Sequence, residues 1–162
     1  MPTPKLNSMR LLETQRAPYD VKTYEYDPEN PPDASEVARR IGLEPAQVFK
    51  TLVVVGASQS RPLLIMLAAD HQLDLKRAAA AVGQKRLELM PRAEAERLTG
   101  LKVGGIGALA LAAKRWPSYL DQTAEAFERI YVNAGQRGVM IGVGVADLLR
   151  VLGAKLIAAS IA

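Results

Sequence analysis

One lysine, Lys50, stands near the start of an apolar, β-branched run from Val48 to Val55. A short run of this kind predicts a buried strand. Because side chains alternate along a strand, Lys50 shares a face with Val48, Leu52 and Val54. Its ammonium group either reaches water at the end of the strand or faces a cleft in which its charge is used. The strand pattern alone favours the first alternative, because the first residues of a strand usually lie near the surface.

A glycine-rich stretch offers main-chain N–H groups that could bind an anion. The sequence from Gly105 to Ala110 fits the G-x-G-x-x-A dinucleotide pattern. That pattern binds a dinucleotide only where a strand precedes it and a helix follows, and neither a clear strand nor a βαβ unit precedes this one. The N–H groups of Gly104, Gly105 and Gly107 could instead form an anion-binding or oxyanion-binding concavity. The alternative is a tight turn between two strands.

Two further positions carry side chains used in anion binding or catalysis. Arg137 lies in the glycine-bounded loop Gly135–Gly138, where it would suit a phosphate if the loop borders a cleft. An exposed arginine in a hairpin loop is the alternative. The one histidine, His71, follows Asp70, but no nucleophile-elbow sequence accompanies it. A Ser-His-Asp triad is therefore not supported.

Helical and strand patterns alternate along the chain, and two connections are predicted hairpins. Apolar spacing and capping residues predict helices over 5–15, 35–40 (with Ser35 as N-cap), 75–82, 91–98 and 145–152. Strands are predicted over 21–26, 48–55, 62–69, 86–89, 130–132, 139–141 and 155–157. A turn over 56–61 makes the first hairpin, and a longer loop before 139 makes the second. This combination predicts an α+β fold, with a mixed sheet flanked by helices, in a single domain spanning residues 1–162.

The composition excludes several kinds of site. The 162 residues include no cysteine and one histidine, which excludes disulfides, thiolate zinc sites, cysteine nucleophiles and histidine-rich metal sites. No apolar run is long enough to cross a bilayer and no signal peptide is recognisable, so a cytoplasmic protein without a membrane partner is expected. The formal net charge of +4 is compatible with a polyanionic partner.

Six short stretches, spread over almost the whole chain, form an ordered set. They are Thr23–Asp27, Val48–Leu52, Gln72–Lys76, Thr99–Gly100, Val103–Ile106, and Ile130–Val132 with the following Gly135, Arg137 and Gly138. Together they resemble the YbaK/ProX family of trans-editing aminoacyl-tRNA deacylases, which is related to the editing domain of bacterial prolyl-tRNA synthetases. The resemblance is strongest to the branch that clears cysteine from tRNA(Pro).

The resemblance implies a fold, a site and a role for each site residue. The implied fold is a mixed sheet, curled like a partial barrel and flanked by helices. Lys50 is implied to be the catalytic cation that faces the cleft and meets the charged 3′ end of the tRNA. The implied substrate-binding residues are Tyr24, Tyr26, Thr51, Gly104, Gly105, Gly107, Asn133 and Arg137. The resemblance implies no cofactor and no metal.

The implied activity is hydrolysis of misacylated tRNA, with Cys-tRNA(Pro) as the leading substrate. Ala-tRNA(Pro) and other small mischarged aminoacyl-tRNAs are alternatives. In the cysteine branch the thiol of the substrate attacks its own carbonyl, so no protein nucleophile is required. The implied partners are the acceptor end of the tRNA and prolyl-tRNA synthetase. Two other classes remain open: a non-catalytic module that binds tRNA or a synthetase, and a nucleotide-binding enzyme that uses the glycine stretch.

The chain departs from the family pattern around the implied pocket. Gly107-Ala108 stands where the family usually has Ser-Pro. Met140 occupies a position that is often acidic in close relatives, and Asn133-Ala134 replaces a serine-glycine pair. These changes bear on which amino acid is removed more than on the class of reaction.

Overall fold

The computed structural model describes residues 5–56 and 61–162. Its helices are α1 (Asn7–Thr14), α2 (Ala34–Arg40), α3 (Leu75–Val82), α4 (Arg92–Thr99) and α5 (Val145–Leu152). Its strands are β1 (Tyr19–Thr23), β2 (Val48–Gly56), β3 (Leu63–Ala68), β4 (Gln72–Leu73), β5 (Leu87–Leu89), β6 (Ser118–Asp121), β7 (Arg129–Asn133), β8 (Val139–Gly144), β9 (Lys155–Ile157) and β10 (Ser160–Ile161). Short 3-10 helices cover Pro45–Gln47, Leu109–Lys114 and Gln122–Ala126. None of the helices in the two described ranges is long and apolar enough to cross a membrane.

Eight strands form one mixed sheet in the described part of the chain. Their order is β1-β8-β7-β2-β3-β6-β9, and β5 pairs with β2 beside this path. The pairs β2–β7, β3–β6 and β6–β9 are parallel, and the other pairs are antiparallel. A separate two-stranded sheet joins β4 and β10. The predicted mixed sheet with flanking helices is confirmed, and its strand path runs from β1 to β9 without closing into a barrel.

Strand β2 lies between two layers of apolar packing. Phe49 and Val53 belong to the large cluster that includes residues of α1, α4 and α5. On the opposite face, Val48 packs with residues of α2, and Val54 packs with residues of α3. A strand period of two requires this alternation. It leaves Lys50 on the second face, in the interval between the α2 cluster and the α3 cluster.

The first strand is shorter than its sequence pattern predicts. Strand β1 ends at Thr23, whereas alternation predicted a strand as far as Tyr26. Tyr24 still donates its N–H to the Gly138 carbonyl (3.0 Å), but the ladder stops there. The two tyrosines of this segment therefore lie just beyond the sheet, where their rings can cover the loops that follow β7.

The N-cap of α2 is Asp33, and the prediction of Ser35 was wrong. The Asp33 carboxylate accepts the N–H of Glu36 (2.8 Å), which satisfies one of the unpaired donors in the first turn. Ser35 lies inside the helix, and its hydroxyl donates to the Ala69 carbonyl (3.3 Å). Both residue types can cap a helix, so local pattern alone did not distinguish them.

One strand of the sheet was missed from the sequence. Strand β6 is a four-residue strand that follows Pro117 and lies in parallel pairs between β3 and β9. So short a segment has too few residues to show alternation, and its pairing depends on strands far away in the chain. The predicted turn over 56–61 falls mostly on residues 57–60, which lie outside the described residues.

Asp121, the last residue of β6, is a buried carboxylate with 1% exposure that holds the C-terminal segment against the sheet. It accepts hydrogen bonds from the Ala159 N–H (2.8 Å), the Ser160 hydroxyl (2.9 Å) and the Thr123 hydroxyl (2.8 Å). Burial alone would raise the pKa of this carboxyl group, but the hydrogen bonds outweigh burial and hold its pKa below the ordinary value.

An Asp121→Asn variant is expected to unfold more easily at pH 7, by about 1–3 kcal/mol, because an amide NH₂ group cannot accept these hydrogen bonds. Since the folded-state pKa is lowered, the stabilisation by Asp121 is complete above the unfolded pKa of about 3.9 and is lost as the pH falls through the lower folded value. Urea unfolding of both proteins at pH 7 and pH 3 measures this, and the difference should shrink at pH 3. An equal difference at both pH values would contradict the assignment.

Candidate active site

A cavity of about 440 Å³ lies where the sheet is interrupted beside β2. Strand β7 pairs with β2 only at Val48 and Phe49, and β5 pairs with it only at Val54–Gly56. Between these two partners, no strand of the described residues pairs with residues 50–53 on this edge, and all four residues line the cavity. The cavity therefore reaches both faces of the sheet through the gap between β7 and β5.

The two sides of the cavity belong to different layers of the fold. On the α2 side it is lined by Val37 and Met140, which pack in the cluster around α2. On the α4 side it is lined by Ala95 and Ile106, which belong to the large cluster or pack against it. The walls are mainly apolar, so the few polar groups that reach the cavity act in a medium that screens charge less than water does.

Lys50 supplies a cation to this cavity. Its ammonium group donates to the main-chain oxygen of His71 at 3.3 Å, which is a long hydrogen bond. Among the described residues no carboxylate lies within 4.0 Å of it. Of the two alternatives for a lysine on this strand, the structure shows the one in which it borders a cleft. Its charge remains available to a ligand.

Five of the nine residues proposed from the sequence line the cavity: Tyr24, Lys50, Thr51, Gly104 and Asn133. Burial raises the pKa of the Tyr24 hydroxyl, so Tyr24 stays protonated and can donate a hydrogen bond. The remaining four, Tyr26, Gly105, Gly107 and Arg137, do not line the cavity. Their contact with the substrate stays a prediction.

The Tyr26 ring and the Arg137 guanidinium group hold the glycine loop (residues 104–107) in place. The two groups stack, with 4.5 Å between the guanidinium carbon and the ring centroid. Arg137 also donates its Nε–H to the Val103 carbonyl (2.8 Å). A Cβ atom on Gly104 would lie 2.9 Å from the tyrosine ring, and the φ of +94° at Gly104 is in the left-handed region that favours glycine. Arg137 is thus engaged in positioning this loop.

The N–H group of Gly105 is already used within the loop. It donates to the Lys102 carbonyl at 2.7 Å, so it is not an open oxyanion donor. A Cβ atom on Gly105 would lie 2.9 Å from the main-chain nitrogen of Arg137. Close approach of two loops, rather than anion binding, is what this glycine allows.

Asn133, at the end of β7, connects the two loops that close the cavity. Its Nδ2 donates to the Gly104 carbonyl (2.8 Å), and its Oδ1 accepts the N–H of Gly135 (2.7 Å). Gly107 passes so close to the main chain of Asn133 that a Cβ atom there would overlap the Asn133 carbonyl oxygen. The side chain of Asn133 therefore fixes where Gly104 meets the cavity.

Sequence reasoning missed two charged residues of the cavity, Asp33 and Arg92. Asp33 was missed because Ser35 was predicted to be the N-cap of α2. Arg92 begins α4, has a 65% exposed side chain and lies 3.8 Å from Glu96. No pattern in the sequence distinguishes it from an ordinary surface arginine. It gives the α4 side of the cavity a cation that is accessible to a phosphate.

The arrangement suits binding and charge stabilisation more than nucleophilic attack by a side chain. The hydroxyl groups that line the cavity belong to Tyr24 and Thr51, and neither has a hydrogen bond to a basic side chain among the described residues. The His71 imidazole pairs with Asp70 (2.8 Å) and meets Lys50 only through its main-chain oxygen. A reaction at this site would take its nucleophile from water or from the substrate.

Comparison with known proteins identifies the family. The model of the aminoacyl-tRNA editing domain matches residues 28–151. EbsC of Enterococcus faecalis, provisionally named a Cys-tRNA(Pro)/Cys-tRNA(Cys) deacylase, is 36% identical over 138 residues, which are 85% of this chain and 82% of EbsC. The multifunctional Ser/Thr-tRNA deacylase ProXp-y of Escherichia coli K12 is 33% identical over 113 residues, which are 68% of each chain.

Solved structures share the fold. One provisionally described as a trans-editing enzyme for prolyl tRNA synthetase superposes with a TM-score of 0.77 over 99% of this chain and 100% of its own, at 23% identity. The hypothetical protein APE2540 superposes with a TM-score of 0.81 over 94% and 97% of the two chains, at 18% identity. The family model and the EbsC match confirm the resemblance found in the sequence: the chain belongs to the aminoacyl-tRNA editing domain family.

Proposed function

We propose that this protein hydrolyses the ester bond of misacylated tRNA in trans. Cys-tRNA(Pro) is the leading substrate, and Ala-tRNA(Pro) or another small mischarged aminoacyl-tRNA is the alternative. The observation that carries the proposal is the Lys50 ammonium group, which has no carboxylate partner among the described residues and lies at a cavity of about 440 Å³ in the gap beside β2. The names of EbsC and ProXp-y, which describe Cys-tRNA and Ser/Thr-tRNA deacylases, support the same reaction class.

Ester cleavage places negative charge on the carbonyl oxygen as the nucleophile adds to the carbonyl carbon. A fixed cation in an apolar cavity stabilises that charge more than it stabilises the neutral ester, which lowers the barrier. The bond to the ribose oxygen then breaks, and that oxygen takes a proton. With cysteine the thiol can form the new bond, its proton passing to the ribose oxygen, and water then opens the cyclic thioester. With alanine, water must attack directly.

The size of the cavity indicates which part of the tRNA enters. A volume of about 440 Å³ suits one aminoacyl group with its terminal ribose, a size within the usual range for small-ligand sites. The rest of the acceptor end must lie outside, where Arg92 offers an exposed cation for a phosphate. With a net charge of only +4 on the chain, a prolyl-tRNA synthetase that delivers the tRNA is the proposed protein partner.

The test is deacylation of purified substrates. Cys-tRNA(Pro) and Ala-tRNA(Pro) are incubated with the protein, with Pro-tRNA(Pro) as the matched correctly charged control. We expect at least one mischarged ester to be cleaved faster than in buffer, while the prolyl ester is spared. If neither is cleaved faster than in buffer, the hydrolase proposal fails for these substrates. The non-catalytic accessory module, which the replacement of Ser-Pro by Gly107-Ala108 favours, would then take its place.

A further inference from the structure

The main-chain groups of Thr51 point into the cavity. In an antiparallel ladder, residues along a strand alternately turn their N–H and C=O groups towards one neighbour and then the other. The Val48 carbonyl accepts the Ala69 N–H (2.8 Å) at the end of β3, so Lys50 and Leu52 also face β3. The Val53 carbonyl accepts the Met90 N–H (3.0 Å) on the opposite side. Thr51 has the same parity as Val53 and therefore faces the gap.

Neither main-chain group of Thr51 has a hydrogen-bond partner in the described residues. The register with β7 stops at Phe49, and the register with β5 starts at Val54. No turn, loop or side chain within 5–56 or 61–162 supplies a replacement. The Thr51 hydroxyl is also buried without a partner. Unpaired polar groups are rare in folded proteins, and here Thr51 combines a buried hydroxyl with two main-chain groups that border the cavity.

We propose that the aminoacyl group of the substrate occupies this gap as a single residue of a strand. Its α-amino group donates to the Thr51 carbonyl oxygen, and its ester carbonyl accepts the Thr51 N–H. These are the two hydrogen bonds that directly opposed residues exchange in an antiparallel pair. The aminoacyl group carries its amino donor and its carbonyl acceptor within one residue, which is the spacing that such a pair requires. The inference rests on the proposed function, because it assumes an aminoacyl ester.

This placement divides the cavity between the two sides of β2. Directly opposed residues of an antiparallel pair project their side chains on the same face. The side chain of an L-amino acid would therefore lie on the Thr51 face, against Phe49, Ala95 and Ile106. Lys50 would approach the ester from the other face. Because these neighbours are apolar, this face favours an uncharged amino-acid side chain.

The placement also supplies an oxyanion donor. The N–H of Gly105 is bonded to Lys102, so it does not fill this role. The N–H of Thr51 has no partner in the part of the chain that the structure describes, and it would point at the carbonyl oxygen that gains charge during attack. The Lys50 ammonium group and the main-chain N–H of Thr51 would then both stabilise the charge on this oxygen. The two residues are adjacent in the sequence.

The experiment compares two stable adenosine amides that differ by one group. They are 3′-deoxy-3′-(L-alanylamino)adenosine and its propionyl counterpart, which has the same shape but lacks the α-amino group. Titrations of the ¹⁵N-labelled protein followed by NMR report both affinity and the environment of the Thr51 amide. We expect the alanyl compound to shift the Thr51 amide resonance and to bind about 10- to 100-fold more tightly, the effect of one hydrogen bond to a charged group.

A Thr51→Val variant separates the main chain from the hydroxyl group. Valine keeps the N–H and C=O groups, so the preference for the alanyl compound should remain, and its disappearance would overturn the main-chain assignment. Equal affinity of the two compounds, an unmoved Thr51 amide, or no binding of the alanyl compound at millimolar concentration would also overturn it. If the alanyl preference is found but no aminoacyl-tRNA is cleaved, the inference stands and the hydrolase proposal fails.

Discussion

A Lys50→Ala variant is expected to cleave Cys-tRNA(Pro) about 100- to 1,000-fold more slowly than the wild-type protein, the loss that follows removal of one preorganised group from a charge-stabilising site. The reason is that the Lys50 ammonium group has one long hydrogen bond, to the His71 carbonyl, and no carboxylate partner among the described residues. Its charge is therefore available to stabilise the bound ligand and contributes little to the stability of the fold. Single-turnover deacylation at saturating protein measures the chemical step directly.

The same variant should fold normally, which makes the activity loss interpretable. Removing Lys50 breaks no ion pair in the described part of the chain and leaves the apolar packing of Val48 and Val54 in place. We expect the free energy of unfolding to change by less than about 1 kcal/mol. Urea unfolding of both proteins measures this. A large loss of stability would mean that Lys50 supports the strand.

Two further variants serve as controls. Lys76→Ala removes the same charge from the exposed first turn of α3, at a residue that does not line the cavity, and should leave deacylation unchanged. Lys50→Arg keeps the charge but enlarges the head group, and should recover part of the rate. Full activity in Lys50→Ala, or an equal loss in Lys76→Ala, would show that Lys50 does not act on the ester.

The face that Lys50 occupies could be predicted from the sequence, but the cavity beside it could not. Alternation along 48–55 is a local property, and it placed Lys50 with Val48 and Val54 as the structure has them. The cavity exists because β7 stops at Phe49 and β5 starts at Val54 on the same edge. Strand register depends on residues 30 or more positions away. The composition of β2 carries no signal of the residues at which its two partner strands end.

The contacts of the glycine loop could likewise be predicted from the sequence only in part. Three glycines within four residues predicted either an anion-binding concavity or a tight turn, and the structure shows close approaches of other groups to Gly104, Gly105 and Gly107. What approaches them could not be predicted: a tyrosine ring, the main chain of Arg137 and the main chain of Asn133. An anion-binding turn and a loop–loop contact require the same glycines. Only the tertiary contacts distinguish the two.

A Gly107→Ala variant is expected to lose about 1–3 kcal/mol of unfolding free energy, the usual effect of an atom added where there is no room. The new Cβ atom would overlap the Asn133 carbonyl oxygen and lie 3.0 Å from the Asn133 carbonyl carbon. Main-chain atoms cannot rotate away as a side-chain tip can. Asn133 is also paired with Met140 across β7 and β8 and held by its own side-chain bonds to Gly104 and Gly135.

Deacylation should fall in this variant by more than the loss of stability explains. Displacing Asn133 moves the Gly104 carbonyl that its Nδ2 holds, and Gly104 forms part of the cavity wall. The matched control is Gly144→Ala, where the nearest atom to the new Cβ is the Asp147 Oδ2 at 3.6 Å, so that variant should lose less than about 1 kcal/mol and keep its activity. Measuring rates well below the unfolding midpoint of each protein removes the unfolded fraction from the comparison. If Gly107→Ala is destabilised yet cleaves the ester at the wild-type rate, the contact supports only the fold, and the position of Gly104 does not govern the reaction.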